Sequence, residues 1–365
     1  RWRGHPATIA HPRCSVAQPG RARLTEHTKA VMLLDVPQEW FALALVAAPL
    51  LVTLCFVRRI ANRPDHAQAV NLFVYPIKSC AEVAVQSATA TPRGFEGDRL
   101  FQCTDKHGKY CTPRDDDKAR LFKVSPRYEG ESLVLRAANM PELRLARDAI
   151  AARVQCEVLC APKPLTLLDA GDEAAAWLEA ATQIPGVRLT GLPRDSDRVV
   201  VMNQDQGDAV PTSGAAPVSL ADEAPFLLTS VESLADLNAR LKARGKAAVD
   251  MQRFRPNIVV GGLLPWEEDT IKRLAIDGVE FHAWQRCGRC KMTTIDRQTL
   301  KHGPEPLATL STFRERDHGQ RNFGMHLVPA EGWAGAGRVS VGGRLEVLEY
   351  HEERRAEWLR LFRGQ

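Results

Sequence analysis

Over residues 70–160 the chain reads as strand-dominated, with apolar and polar positions alternating with a period of two where a strand is half-buried. Residues 70–80 (VNLFVYPIKSC) form a β-rich run ended by Pro76, and residues 82–90 (EVAVQSATA) alternate strictly. Residues 98–114 (DRLFQCTDKHGKYCTPR) predict two strands around Lys106-His107-Gly108, and SLVLRA and LRLA continue the pattern. Residues 197–203 read as a strand and NIVVGG (257–262) as a buried one. LAIDGVEFHAW (274–284) predicts a hairpin turning at Asp277-Gly278, and RVSVGGRLEVL (338–348) a second turning at Gly342-Gly343. Helical spacing is confined to three places: 171–182, 229–241 with Thr229 and Glu232 as a capping box, and 351–363. Residues 60–69 read as a linker and residues 204–225 as a mobile loop. With no repeat and no βαβαβ alternation, the fold expected is strand-dominated α+β, a barrel or sandwich rather than a Rossmann sheet.

One segment breaks the alternation. Trp40 to Val57 (WFALALVAAPLLVTLCFV) carries no charge, and Arg58-Arg59 follow at once. A spanning helix needs roughly 20 apolar residues, so this stretch predicts a transmembrane anchor at 40–57, in preference to a cleaved signal peptide or a core helix. The arginines follow the span while Asp35 and Glu39 precede it, which puts the C-terminal part in the cytosol. Residues 1–39 form a basic arm; residues 1–31 suit a targeting segment, or an artefact of the gene model, since Met32 stands just ahead of the apolar run. The 365 residues, 44% hydrophobic and 25% charged, suit about two globular domains. A net charge of +5 is too mild to indicate nucleic acid, and nine scattered cysteines suit a reducing compartment better than a disulfide framework.

The most pointed stretch is QRCGRCKMTTIDR (285–297). Cys287-x-x-Cys290 is half of a zinc site if Cys156 and Cys160 supply the other half, although their spacing is one longer than usual. It is a redox pair if a helix follows, but KMTTID reads as a strand. It is plain packing if both thiols are buried. Against packing stand Arg286, Arg289 and Lys291, since cations beside a thiol favour the thiolate. One thiolate, with the other metal ligands coming from a phosphorylated organic cofactor, accounts for both sulfur and charge. Further cations and polar groups fall at predicted strand ends: Lys78 and Ser79, Arg99, Thr112 and Arg114, and Arg253, Arg255 and Asn257. Singly they are surface charges; together they suit an anion.

The ordered segments LFVYPIKSC, GDRLF, TPR, PFLLTSVESLADLNARL, FRPNIVVGG and CGRCKMTTID resemble MOSC-domain proteins, and with the apolar span the chain resembles the mitochondrial amidoxime-reducing components. The resemblance covers residues 70–350. It implies a MOSC N-terminal β-domain (70–190) and a MOSC β-barrel domain (191–350), which leaves residues 351–365 to the C-terminal helix. It implies molybdenum cofactor, with Cys290 as the protein thiolate on molybdenum and Cys287 not a ligand. Lys78, Ser79, Arg99, Arg114, Arg255, Asn257, Gly288, Arg289 and His326 would line the cofactor site, and Asp222 would orient or handle protons. The implied activity is a pyridoxal phosphate-independent reduction of amidoximes, hydroxylamines and N-hydroxylated bases. Electrons would come from NADH through cytochrome b5 reductase and cytochrome b5, at the outer mitochondrial membrane facing the cytosol. A cofactor carrier or a sulfuration-linked module without reductase turnover is the alternative. The chain departs from relatives at Asp222-Glu223-Ala224 (Asp-Thr-Ser in relatives), at Gly288 (serine) and at His326 (tyrosine).

Overall fold

A computed structural model describes residues 66–146, 152–201, 214–316, 319–330 and 337–363. Seven strands close into a barrel: β1 (Ala67–Val74), β2 (Phe226–Ser230), β3 (Ile258–Gly261), β4 (Ile271–Ile276), β5 (Val279–Gly288), β6 (Gln320–Pro329) and β7 (Arg344–Tyr350). Around the barrel the order is β2-β3-β1-β7-β4-β5-β6, and β6 returns to β2. Closure removes the exposed edges that an open sheet must protect. The β2–β3 pair is parallel and so needs a crossover, which helix α2 (Val231–Ala243) supplies.

The barrel interior is filled by Leu72, Phe226, Ile258, Leu274, Phe281, Met325 and Leu345. Phe226 meets Phe95 and Phe281 edge-on, at 5.1 and 5.2 Å between centroids. An irregularity between Ala69 and Asn71 shifts the side-chain alternation of β1 by one, so Ala69 and Leu72 both face inward. Phe73 and Tyr75 then point outward and pack with Leu237 and Leu241 of α2.

A second core belongs to the preceding β-domain. One four-stranded sheet (Phe101–Thr104, Arg188–Gly191, Leu165–Asp169, Ala152–Cys156) and one three-stranded meander (Ser125–Glu129, Ser132–Arg136, Leu143–Ala146) enclose Phe101, Leu133, Leu135 and Leu189. Helix α1 (Gly171–Thr182) adds Trp177 and Leu178. Helix α3 (Glu352–Arg363) closes the described chain.

Several local expectations change. The cap of α2 is Ser230, whose hydroxyl accepts from the Glu232 and Ser233 amides, whereas Thr229 is buried in β2 with its hydroxyl on Met251. The linker ends early, because β1 begins at Ala67. Residues 82–90 divide into Val83–Val85 and Ser87–Thr91. The expected hairpin at 338–348 does not form: Gly337–Ser340 pairs with Ser87–Thr91, while β7 joins the barrel. Asp277 holds the divergence by accepting the Ser340 amide at 2.8 Å. KMTTID is not a strand, since Lys291–Thr294 turns as a 3-10 helix. Residues 218–221, 224 and 225, within the expected loop, are buried. The hairpin at Asp277-Gly278 forms as expected, with φ of 49° and 78°. The apolar stretch 40–57 lies outside the described residues; among those described, no helix is long and apolar enough to cross a membrane.

Gly324 in β6 is a place where only glycine fits. Its φ is 85°, and an added Cβ would stand 2.6 Å from the Leu228 carbonyl oxygen. Gly324→Ala is expected to destabilise the fold by roughly 2 kcal/mol or more, read as a lower urea midpoint at unchanged slope.

Candidate functional site

The site forms where the end of β5 meets turns from the preceding β-domain. Cys290 follows β5 directly, and its carbonyl accepts from the Thr293 amide and hydroxyl, both at 3.0 Å. The backbone therefore anchors the turn while the thiol is left exposed. None of the three neighbouring cations attends that thiol. Arg286 pairs with Asp269, Lys291 with Asp116, and Arg289 reaches Cys287. The cation on Cys290 is Arg114, with Nε and Nη2 each 3.4 Å from Sγ. Sequence distance hid this pairing, because the contact spans two domains.

Arg114 is aimed from behind. Its Nη2 lies 3.1 Å from one Asp222 oxygen, and Lys78 Nζ lies 2.6 Å from the other. Burial alone would push the Asp222 carboxyl up, but Lys78 and Arg114 outweigh it and hold it well below the usual carboxylate range. Burial pulls the Lys78 ammonium below its ordinary value, with Asp222 opposing. The Asp222 backbone is fixed by buried Arg198, which donates to the carbonyls of Ser219, Ala221 and Leu159.

Protonating Asp222 would break both ion pairs. Because its folded value is depressed, the stability it adds is present above the unfolded carboxyl value, about 4, and is lost as pH falls through the folded value. The melting difference between wild type and Asp222→Asn is therefore expected to stay constant from about pH 8 to 5 and to shrink only below about pH 4.

A second cluster surrounds the other thiol. Arg289 Nη1 lies 2.6 Å from Cys287 Sγ, and its Nη2 donates to the Phe254 carbonyl at 2.7 Å. His326 hydrogen-bonds Cys287, and its Nδ1 lies 3.3 Å from Gln285 Nε2 and 3.7 Å from Glu223. Burial pushes the Cys287 thiol up, but Arg289 and His326 bring it below its ordinary value. Burial pulls His326 down, but Cys287 and Glu223 raise it above its ordinary value. Gly288 lies between the two thiols, where an added Cβ would meet the Gln320 side chain at 2.3 Å.

The remaining predicted residues form a network beneath. Tyr75 stands between two guanidinium groups, Arg99 and Arg255, 4.4 and 4.2 Å from its ring centroid. Asp98 accepts from the Tyr75 amide at 2.8 Å and from Arg99 at 2.5 Å. Arg99 also donates to Asn257 Oδ1 at 2.8 Å and to the Arg255 carbonyl. Asn257, just ahead of β3, ties the Arg99 turn to two barrel strands, accepting from the Leu227 amide of β2 and donating to the Phe73 carbonyl of β1. Arg99 and Asn257 are thus committed to the protein, whereas Arg255 spends one nitrogen on the Cys80 carbonyl and its buried Nη2 has no hydrogen-bond partner among the described residues. Ser79, Arg99 and Arg255 all adopt left-handed backbone, with φ of 72°, 47° and 58°. Such residues cost about 1–3 kcal/mol each and gather at functional sites. Tyr75, Asp98 and Arg198 were not singled out from sequence, though Asp98 stands in GDR; Glu223 was noted only as a departure from relatives.

The chain matches two family descriptions, "MOSC N-terminal beta barrel domain" over residues 66–185 and "MOSC domain" over 215–347. It is 32% identical over 261 residues to mitochondrial amidoxime reducing component 2 of Bos taurus, covering 69% of this chain and 74% of the relative. Against component 1 of Mus musculus it is 32% identical over 295 residues, covering 75% and 81%. Molybdenum cofactor sulfurase of Danio rerio is 29% identical over 273 residues, 70% of this chain but only 31% of that relative. The chain belongs to the MOSC-domain family, in the company of the mitochondrial amidoxime-reducing components.

Proposed function

We propose that the chain is a molybdenum-cofactor-dependent reductase of N-hydroxylated compounds, with Cys290 as the protein ligand to the metal. The observation that carries this is an exposed thiol at the barrel mouth, held by Arg114 and backed by the Lys78–Asp222 pair. The residues fit the cofactor. Among the described residues no cluster of three His, Cys, Asp or Glu could cage a metal by itself, so a single thiolate suits a metal whose other ligands are organic. The buried Arg255 Nη2 and Arg289 Nε have no partner among the described residues and suit phosphate or pterin oxygens.

When bound, the cofactor supplies the two-electron chemistry. The protein's part is placement and charge. Arg114 sets its guanidinium against the Cys290 sulfur and so holds positive charge beside the proposed ligand. Asp222, ionised and locked between two cations, orients Arg114 and Lys78 rather than donating a proton. Arg255 and Arg289 offer the anion-binding nitrogens, and the Asp98–Arg99–Asn257 network holds the turns that present them.

Electrons would come from NADH through cytochrome b5 reductase and cytochrome b5, with residues 40–57 as an outer-mitochondrial-membrane anchor. The test is reduction of an amidoxime by the cofactor-loaded chain with those donors. Turnover dependent on all components supports the reading. Cofactor binding without turnover favours the second reading, a carrier or sulfuration-linked module, which the match to the sulfurase of Danio rerio supports.

A further inference from the structure

Asp222 and Glu223 are consecutive carboxylates that serve different sulfurs. Asp222 backs the Cys290 side through Arg114, while Glu223 faces His326, which in turn hydrogen-bonds Cys287. Exposure falls along this second row. The Glu223 side chain is 47% exposed, His326 8% and Cys287 6%. The row therefore runs from solvent into the wall of the barrel mouth, and it ends three residues before Cys290.

We propose that Glu223, His326 and Cys287 form a proton path from solvent to the site beside Cys290. Its purpose rests on the reductase reading, since reduction of an N-hydroxy group consumes protons: R–NHOH + 2 e⁻ + 2 H⁺ → R–NH2 + H2O, the electrons coming from the donor named above. Each proton enters from water at Glu223, passes to the imidazole, leaves to the Cys287 sulfur and moves on to the reacting oxygen or nitrogen. Every group then returns to its starting state.

The surroundings suit this role. Gln285 lies against Nδ1, and its amide can offer N–H or oxygen, so the ring is held in both protonation states. Trp284 stacks on the ring at 6.0 Å and 22°, fixing its plane. Arg289 is the cation that faces the row; it stabilises Cys287 as an anion and opposes a second positive charge on His326. The thiolate–imidazolium state is thereby favoured, and one proton is shared between the two groups.

The experiment uses the full chain with His326→Gln, which keeps a hydrogen bond but cannot titrate, and Glu223→Gln, an exposed and conservative change. The first readout is the ultraviolet thiolate absorbance of Cys287, taken as the difference from the matching Cys287→Ser protein across pH. His326→Gln is expected to cut that signal at pH 6 by about tenfold. The second readout is turnover. Both variants are expected to lower kcat by about tenfold or more with KM unchanged, with the largest loss at high pH, where protons are scarce. Equal thiolate absorbance with and without His326 overturns the coupling, and unchanged kcat in both variants overturns the path. Absence of wild-type turnover overturns the reductase reading instead, and the absorbance still decides whether His326 and Cys287 share a proton.

Discussion

Cys290→Ser is expected to lower cofactor-dependent turnover by more than about 100-fold while moving the melting temperature by little. Loss of an outer partner of a metal ligand already costs about 10–100-fold, and this residue is proposed as the ligand itself. The fold has little stake in the sulfur. Cys290 is exposed, its side-chain contact is Arg114, and the turn rests on its carbonyl, which serine keeps. Such surface changes stay within about 0.5 kcal/mol. Cys287→Ser is expected to act on stability rather than on metal content. Cys287 is buried against Arg289 and His326, so the change destabilises by about 1–3 kcal/mol but leaves the metal in place. Metal content and thermal melts on the two variants separate the ligand from its buried neighbour.

The largest effect on the fold is expected from Asp98→Ala. The Asp98 side chain is fully buried, and Arg99 is 11% exposed. Removing the carboxylate strips the Tyr75 amide of its acceptor and leaves the Arg99 guanidinium with an unmatched charge between Tyr75 and Asn257. Breaking one side of a buried pair costs about 3–5 kcal/mol, or a melting temperature lower by roughly 6–15 °C. Asp98→Asn retains an acceptor for Tyr75 and is expected to lose about half as much. Differential scanning calorimetry on both variants reads the difference.

The fold was legible wherever a local pattern reports burial. The period-two runs gave most strands, and helix α1 matches its expected residues. Closure of the barrel was not legible, because it depends on β6 returning to β2 across about a hundred residues. The hairpin expected at Gly342-Gly343 shows the limit of turn signals. The glycines permit the turn, but Ser87–Thr91 takes the first arm as its partner, and Asp277 reaches across to hold it. At the site, residue types were legible and pairings were not. Lys78, Arg114, Asp222 and Cys290 do stand in contact. Yet the cations next to Cys290 in sequence turn elsewhere, Arg289 to Cys287 and Lys291 to Asp116, while Arg286 alternates with Cys287 across β5 and is drawn to buried Asp269. A residue 176 positions away serves Cys290 instead.

The most direct measurement is molybdenum per chain, by plasma mass spectrometry, in protein from a host that makes molybdenum cofactor. The wild-type chain is expected to carry about one atom, Cys287→Ser to keep it and Cys290→Ser to lose it. Retention of molybdenum by Cys290→Ser with loss in Cys287→Ser, or zinc in its place, would contradict a single-thiolate molybdenum site at Cys290.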